Sequence, residues 1–168
     1  MAKESVWVQS FKEAGFATTV CAVVGSVLTN PQSSWYSHLR KPWFQPPGAA
    51  FPIVWTTLYG TTALGAAGTM TKLREQGRKD EADAFRTAHR INLALNAGWS
   101  GAFFRSHSLG FATVWAAVLA ASSADLARRA KTVSSTDAAP FVAYAAWCSF
   151  ATLLSGSVAA LNRKAKAA

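Results

Sequence analysis

From Ala49 to Met70 the chain runs for 22 residues without an Asp, Glu, Lys or Arg. As a helix rising 1.5 Å per residue, that run is about 33 Å long, enough to cross the roughly 30 Å hydrocarbon core of a bilayer. Inside hydrocarbon the segment itself must satisfy every backbone N–H and C=O, so an uninterrupted run of this kind is a helix. Charged residues are scarce throughout, at 15% against about 25% in an ordinary soluble domain, and they arrive in clusters. The clusters divide the sequence into five apolar segments, about 8–28, 49–70, 86–104, 109–127 and 138–161. This predicts an all-α fold: an integral membrane bundle of five transmembrane helices, one domain over residues 1–168.

Two of the five segments are less complete as spans. Lys12 and Glu13 lie near the start of the first, which ends at Asn30-Pro31. No small-x-small cleavage site follows it, so it reads as a retained span. The uncharged part of the third begins only at Ile91, after the mixed charges of Lys72 to Arg90. Those charges include Glu75 with Lys79 and Asp83 with Arg86, at helical spacings, as in a solvated helical extension on both sides of Gly77.

The net charge is +9. Its cations occupy the gaps between apolar segments instead of lining one face, which argues against a nucleic-acid partner and for membrane topology. The N-terminal tail, the 72–90 segment and the 128–131 segment hold 11 of the 17 Lys and Arg. Five spans put those three on one side, so the positive-inside rule predicts an N-terminus inside and a C-terminus outside.

The segment between the first two spans is unusual. Trp35-Tyr36-Ser37-His38-Leu39-Arg40-Lys41-Pro42-Trp43-Phe44-Gln45-Pro46-Pro47 combines aromatics, prolines and cations. The prolines exclude a regular helix through it, and the aromatics suit a membrane–water boundary. Trp35, His38, Lys41, Pro42, Trp43, Pro46 and Pro47 are therefore candidates for a stiff lid at the mouth of the bundle.

Within the spans, aromatic and uncharged polar residues fall on helical stripes. Trp55 and Tyr59 share one face of the second span; Asn92, Asn96 and Trp99 share one of the third; Tyr144, Trp147, Ala151 and Ser155 share one of the last. Converging stripes would form an apolar pocket with a few hydrogen-bonding groups, suited to a flat aromatic ligand. The alternative is that Asn92 and Asn96 only bond neighbouring helices. Ala112, Ala116 and Ala120, and likewise Thr61 and Gly65, form small-residue seams. Such seams pack either two copies of the chain or the helices of one bundle. No acidic or basic residue lies at the centre of a span, which argues against ion-coupled transport. His38, His89 and His107 have no metal-ligand spacing, and Cys21 and Cys148 sit in apolar runs without a motif, so no metal site is expected. No nucleophile or phosphate-loop motif is present.

The aromatic segment and the stripes together resemble the TspO/MBR family of translocator and tryptophan-rich sensory proteins. The resemblance is carried by Trp35-Tyr36, Leu39, Lys41-Pro42, Trp43-Phe44, Pro46-Pro47, Phe51-Pro52, Trp55 and Leu58-Tyr59; then by Asn96, Trp99 and Phe103-Phe104; then by Tyr144, Trp147, Phe150-Ala151 and Leu161-Asn162. It extends over about residues 16–163. It implies a five-helix bundle, commonly a homodimer, in the bacterial cell membrane, or the mitochondrial outer membrane of a eukaryote. It also implies a membrane receptor or sensor that binds protoporphyrin IX, haem and similar flat ligands under the loop 30–48, with no cofactor required. The pocket residues it implies are Tyr36, Trp55, Tyr59, Asn96, Trp99, Trp147 and Ala151; Asn92, one turn before Asn96, is expected to join them. Light-dependent porphyrin breakdown, with Trp55 and Trp147 as candidate participants, and tetrapyrrole or sterol transport are the alternative activities. Ala143, Ser155 and Phe44 depart from the usual family residues. No Tyr lies near Arg163, so the sterol pattern of Tyr followed by a cation fails.

Overall fold

The computed structural model describes residues 5–163, and these are helical apart from short connections. Lys3, Lys164 and Lys166, counted above for orientation, lie outside the described residues. The elements are α1 (Val6–Leu28), α2 (Ser34–His38), α3 (Ala50–Glu75), α4 (Lys79–Phe104), α5 (Leu109–Lys131) and α6 (Ser135–Arg163). Five are long, as the sequence predicts. The sixth, α2, is one short turn inside the aromatic segment: the Ser33 hydroxyl accepts from the Tyr36 N–H and starts it. It ends before Pro42, so the prolines act only on the second half of that segment.

By length and composition, α1, α5 and α6 are long and apolar enough to cross a membrane. The other two long helices do not meet that standard. Threonine and glycine dilute the apolar character of α3, and charges occupy the first part of α4. The break between them is the turn at Gly77, whose φ of 75° lies where an L side chain is strained. The mixed-charge segment therefore is helical on both sides of Gly77, and Asp83 pairs with Arg86 as its spacing predicts.

The long helices alternate in direction and close into a ring in the order α1, α3, α6, α5, α4, with α3 also touching α4 across the middle. Small residues permit this closeness. Ala66, Ala67, Ala82 and Ala130 are fully buried around Met70, Leu126 and Phe141. Ala112 and Ala116 are buried too, and Ala120 packs beside Leu119 and Tyr144. The alanine seam is thus inside the bundle, so it cannot serve a contact between copies. Gly65 behaves likewise: a Cβ there would lie 2.7 Å from the Asp137 carbonyl oxygen of α6. That oxygen belongs to helical backbone and cannot swing away. Gly65→Ala is expected to push α3 from α6 and cost about 1–2 kcal/mol, read as a lower midpoint of thermal unfolding in detergent.

The surface is inverted relative to a soluble protein. Phe16 and Val27 on α1, Ile53 on α3, Ile91 on α4, Val114 on α5 and Leu153 on α6 all point outward and are more than half exposed. Each long helix therefore offers apolar side chains to its surroundings, as lipid contact requires.

Charge gathers at the end where α1, α4 and α6 begin. Glu13 on α1 accepts from Arg74 on α3 at 2.8 Å and faces Arg86 on α4 at 3.6 Å. Arg74 also donates to the buried Ser10 hydroxyl at 2.8 Å. Lys72 on α3 reaches Asp137 and Ser134 at the start of α6, at 2.6 and 2.8 Å. These contacts join four helices at one end. They also explain why Glu13 is tolerated in the first span: it is the shared counter-charge of two arginines.

Candidate functional site

Three stripe helices meet at one asparagine. The Tyr59 hydroxyl on α3 donates to Asn96 Oδ1 at 2.6 Å, and Asn96 Nδ2 on α4 donates to the Tyr144 hydroxyl on α6 at 2.8 Å. Asn96 and Tyr144 are buried. From α1, Cys21 Sγ approaches the Leu93 carbonyl at 3.2 Å and Asn96 Oδ1 at 3.6 Å. A primary amide offers both donors and acceptors, so one side chain can bridge two phenols. Trp55 lies over this bridge, with its ring 5.6 Å from that of Tyr59 and 6.1 Å from that of Tyr144.

Trp147 stands nearby and packs against the same buried cluster as Trp55. Its ring meets Phe51 at 6.1 Å and Phe150 at 5.4 Å. Its indole N–H is buried with no hydrogen-bond partner among the described residues. A buried donor left unpaired costs free energy, so this N–H is suited to an acceptor brought by a ligand. Ala151, one turn further along α6, is half-buried.

Two predicted pocket residues turn elsewhere. Asn92 Nδ2 donates to Ser122 and Ser123 on α5, at 3.1 and 3.0 Å. Its Oδ1 is buried without a partner. The Trp99 indole donates to the Ala112 carbonyl of α5 at 3.2 Å, and Trp115 on α5 returns the contact to the Leu95 carbonyl of α4 at 2.7 Å. Gly98 admits that second ring, since a Cβ there would lie 2.6 Å from Trp115. Each four-residue step along a helix also turns the side chain by about 40°. Asn92 and Asn96 share a stripe on paper, yet the turn sends the first to α5 and the second to α3 and α6.

The aromatic segment lies across the end of the bundle where α3 begins and α6 ends. Tyr36 packs on Phe103 and Phe104 of α4 at 6.1 and 5.5 Å, with Lys41 Nζ 4.3 Å from its ring centre. Trp35 stacks on His107 at 4.4 Å. Phe44 meets Phe150 of α6 at 6.3 Å, which links the segment to Trp147 through one ring. His38 is exposed and bonds the Ser34 carbonyl within α2, and Trp43 is almost fully exposed. Pro42 and Pro46 are half-buried, and Pro47 is exposed.

Asn162 fastens this segment to α6. Its Oδ1 accepts from the Arg40 N–H at 3.0 Å, and its Nδ2 donates to the Arg40 carbonyl at 2.9 Å. The amide thereby pairs with a backbone unit as a neighbouring strand would. Asn162→Ala removes both bonds and is expected to speed tryptic cleavage after Arg40 about tenfold. An unchanged cleavage rate would show that the clasp does not hold the loop.

Tyr144 and Asn162 are absent from the residues singled out by sequence for the pocket and lid. Tyr144 had a signal, its place three residues before Trp147 on the stripe. Asn162 had one as well, its place in the Leu161-Asn162 pair that carries the family resemblance. Two concavities lie away from Trp55 and Trp147. One, of about 280 Å³, sits at the charged end beside Phe85 and Arg129; the other, of about 690 Å³, lies between α1 and α4. The rings of the Trp55–Trp147 region pack on one another.

Comparison with known proteins matches residues 14–161 to the TspO/MBR family. The chain is 33% identical to a tryptophan-rich protein TspO of Chlorobaculum tepidum over 147 residues, covering 82% of this chain and 86% of the relative. It is 39% identical over 83 residues to a tryptophan-rich sensory protein of Cereibacter sphaeroides, covering 49% and 47%. It is 31% identical over 120 residues to a translocator protein of Ovis aries, covering 71% and 70%.

Proposed function

The chain belongs to the TspO/MBR family of membrane proteins, and on that premise we propose that it is a membrane sensor for porphyrins. In this reading all five long helices cross the bilayer. The outward apolar side chains on α3 and α4, as well as on the other three, support that. Protoporphyrin IX or haem binds between Trp55, Trp147 and the Tyr59–Asn96–Tyr144 bridge, beneath the segment held by Asn162.

The observation that carries the reading is the buried, unpartnered indole N–H of Trp147 within a wall of aromatic rings. A flat apolar ring stacks on such a wall, and an acceptor on the ligand takes the N–H. The bridge itself has few bonds to spare. Its role is to hold three helices at the spacing that the ring needs. Because the rings pack on one another, entry requires them to rotate and the clasped segment to lift. Lys41, beside Tyr36 in that segment, supplies a cation for a carboxylate of the porphyrin.

The test is quenching of tryptophan fluorescence by protoporphyrin IX, titrated in the dark. Trp147→Phe keeps the ring and removes the N–H; it is expected to weaken binding about fivefold. Trp55→Ala removes stacking surface and is expected to weaken it at least as much. Wild-type affinity in both variants would refute the pocket. No saturable quenching of the parent protein would refute porphyrin as the ligand.

A further inference from the structure

The groove of about 690 Å³ between α1 and α4 opens on the outside of the bundle. One wall is Phe16, Val20, Val24 and Leu28; the small residues Ala94 and Ala97 leave the hollow on α4. Arg90 is the one charged residue that lines it. Arg90 is exposed, and its guanidinium has no ion pair or side-chain hydrogen bond among the described residues. Its neighbour one turn earlier, Arg86, is satisfied by Glu13 and Asp83. An apolar channel with an unpaired cation at one end matches an amphiphile with an acidic head.

The dimensions favour a lipid. Phe16 to Leu28 extends about 18 Å along α1, close to half of the roughly 30 Å hydrocarbon core. Arg90 lies about one helical turn, or 5.4 Å, inside the Glu13–Arg86 pair. From that depth a long guanidinium stem can reach the headgroup level. A second copy related by a twofold axis along the membrane normal would bring its own Arg90 to the same depth and add like charge. We propose that this groove holds one acidic phospholipid from the leaflet at the start of α4, with an acyl chain along α1 and the phosphate on Arg90.

The test uses the full chain purified in mild detergent. It is incubated with phosphatidylglycerol or phosphatidylcholine and examined by native mass spectrometry. The parent protein is expected to retain phosphatidylglycerol in preference to phosphatidylcholine. Arg90→Gln should lower that retention about tenfold, while Arg90→Lys keeps the charge and should retain the lipid. Ala94→Phe fills the groove from an exposed position and should lose the lipid with Arg90 intact. Unchanged helicity by circular dichroism checks that each variant is folded. Equal retention of the two lipids by the parent, or full retention by Arg90→Gln, would overturn the proposal. An Ala94→Phe variant that changes the dimer content while keeping the lipid would assign the face to a second copy instead. Porphyrin affinity that falls with Arg90→Gln as far as lipid retention does would assign the groove to the porphyrin route.

Discussion

Glu13→Gln is expected to lower the stability of the bundle by about 3 kcal/mol, because removing one partner of a mostly buried ion pair strands the other charge. Here the lost carboxylate is shared by two arginines. Arg74 is 13% exposed and Glu13 18%, so water offers little compensation. Arg74 keeps only neutral acceptors, the Ser10 hydroxyl and the amide oxygen of the new glutamine, while Arg86 keeps Asp83. The damage should therefore centre on Arg74. For a chain of this size the loss corresponds to a fall of about 6–12 °C in the unfolding midpoint. Circular dichroism during heating in detergent would record it. The double variant Glu13→Gln with Arg74→Met should recover much of the loss, since it leaves no stranded guanidinium on α3. Additive losses in that double variant would argue against the clamp, as would an unshifted midpoint in the single one.

The second large effect is expected at Asn96. Asn96→Leu leaves the Tyr59 and Tyr144 hydroxyls without their shared amide. An unpaired buried polar group costs about 1–3 kcal/mol, but interhelical hydrogen bonds in membranes average less. A combined cost of about 2–3 kcal/mol follows, measured by the same unfolding experiment. Tyr144→Phe should cost about 1 kcal/mol alone. Added to Asn96→Leu it should cost almost nothing, because the bond it deletes is already gone. The bridge also sets the separation of α3, α4 and α6. Asn96→Leu is thus expected to weaken porphyrin quenching although Asn96 need not touch the ring. Undiminished stability would mean that the two phenols find other partners, with Cys21 Sγ, 3.9 Å from the Tyr59 hydroxyl, the nearest.

Much of the architecture is legible in the residues. The uncharged run 49–70, the charge clusters between runs and the Gly77 break predict five long helices, and these are present at α1, α3, α4, α5 and α6. Apolar composition alone identifies only three of them as spans. The structure brings Trp55, Tyr59 and Asn96 of the stripes to one place. Asn92 and Trp99 bond α5 instead, because a stripe on one helix says nothing about which neighbour it faces. The alanine repeat on α5 equally fits an external or an internal seam, and burial of Ala112 and Ala116 decides for the internal one. His38, a candidate for the lid, bonds a carbonyl of its own short helix.

Hydrophobic length and the spacing of charge are properties of one segment at a time, so the sequence by itself determined the helices, their approximate ends and the membrane class. Partner choice is a property of the ring α1, α3, α6, α5, α4. Only the tertiary structure could show that Glu13 balances two arginines, that one asparagine joins two tyrosines, that Asn162 holds Arg40, and that Arg90 lines an apolar groove. Each of these pairings joins residues 37 to 122 positions apart or depends on which helices adjoin, and side-chain hydrogen bonds act only within about 3.5 Å. No periodicity along the chain carries that information.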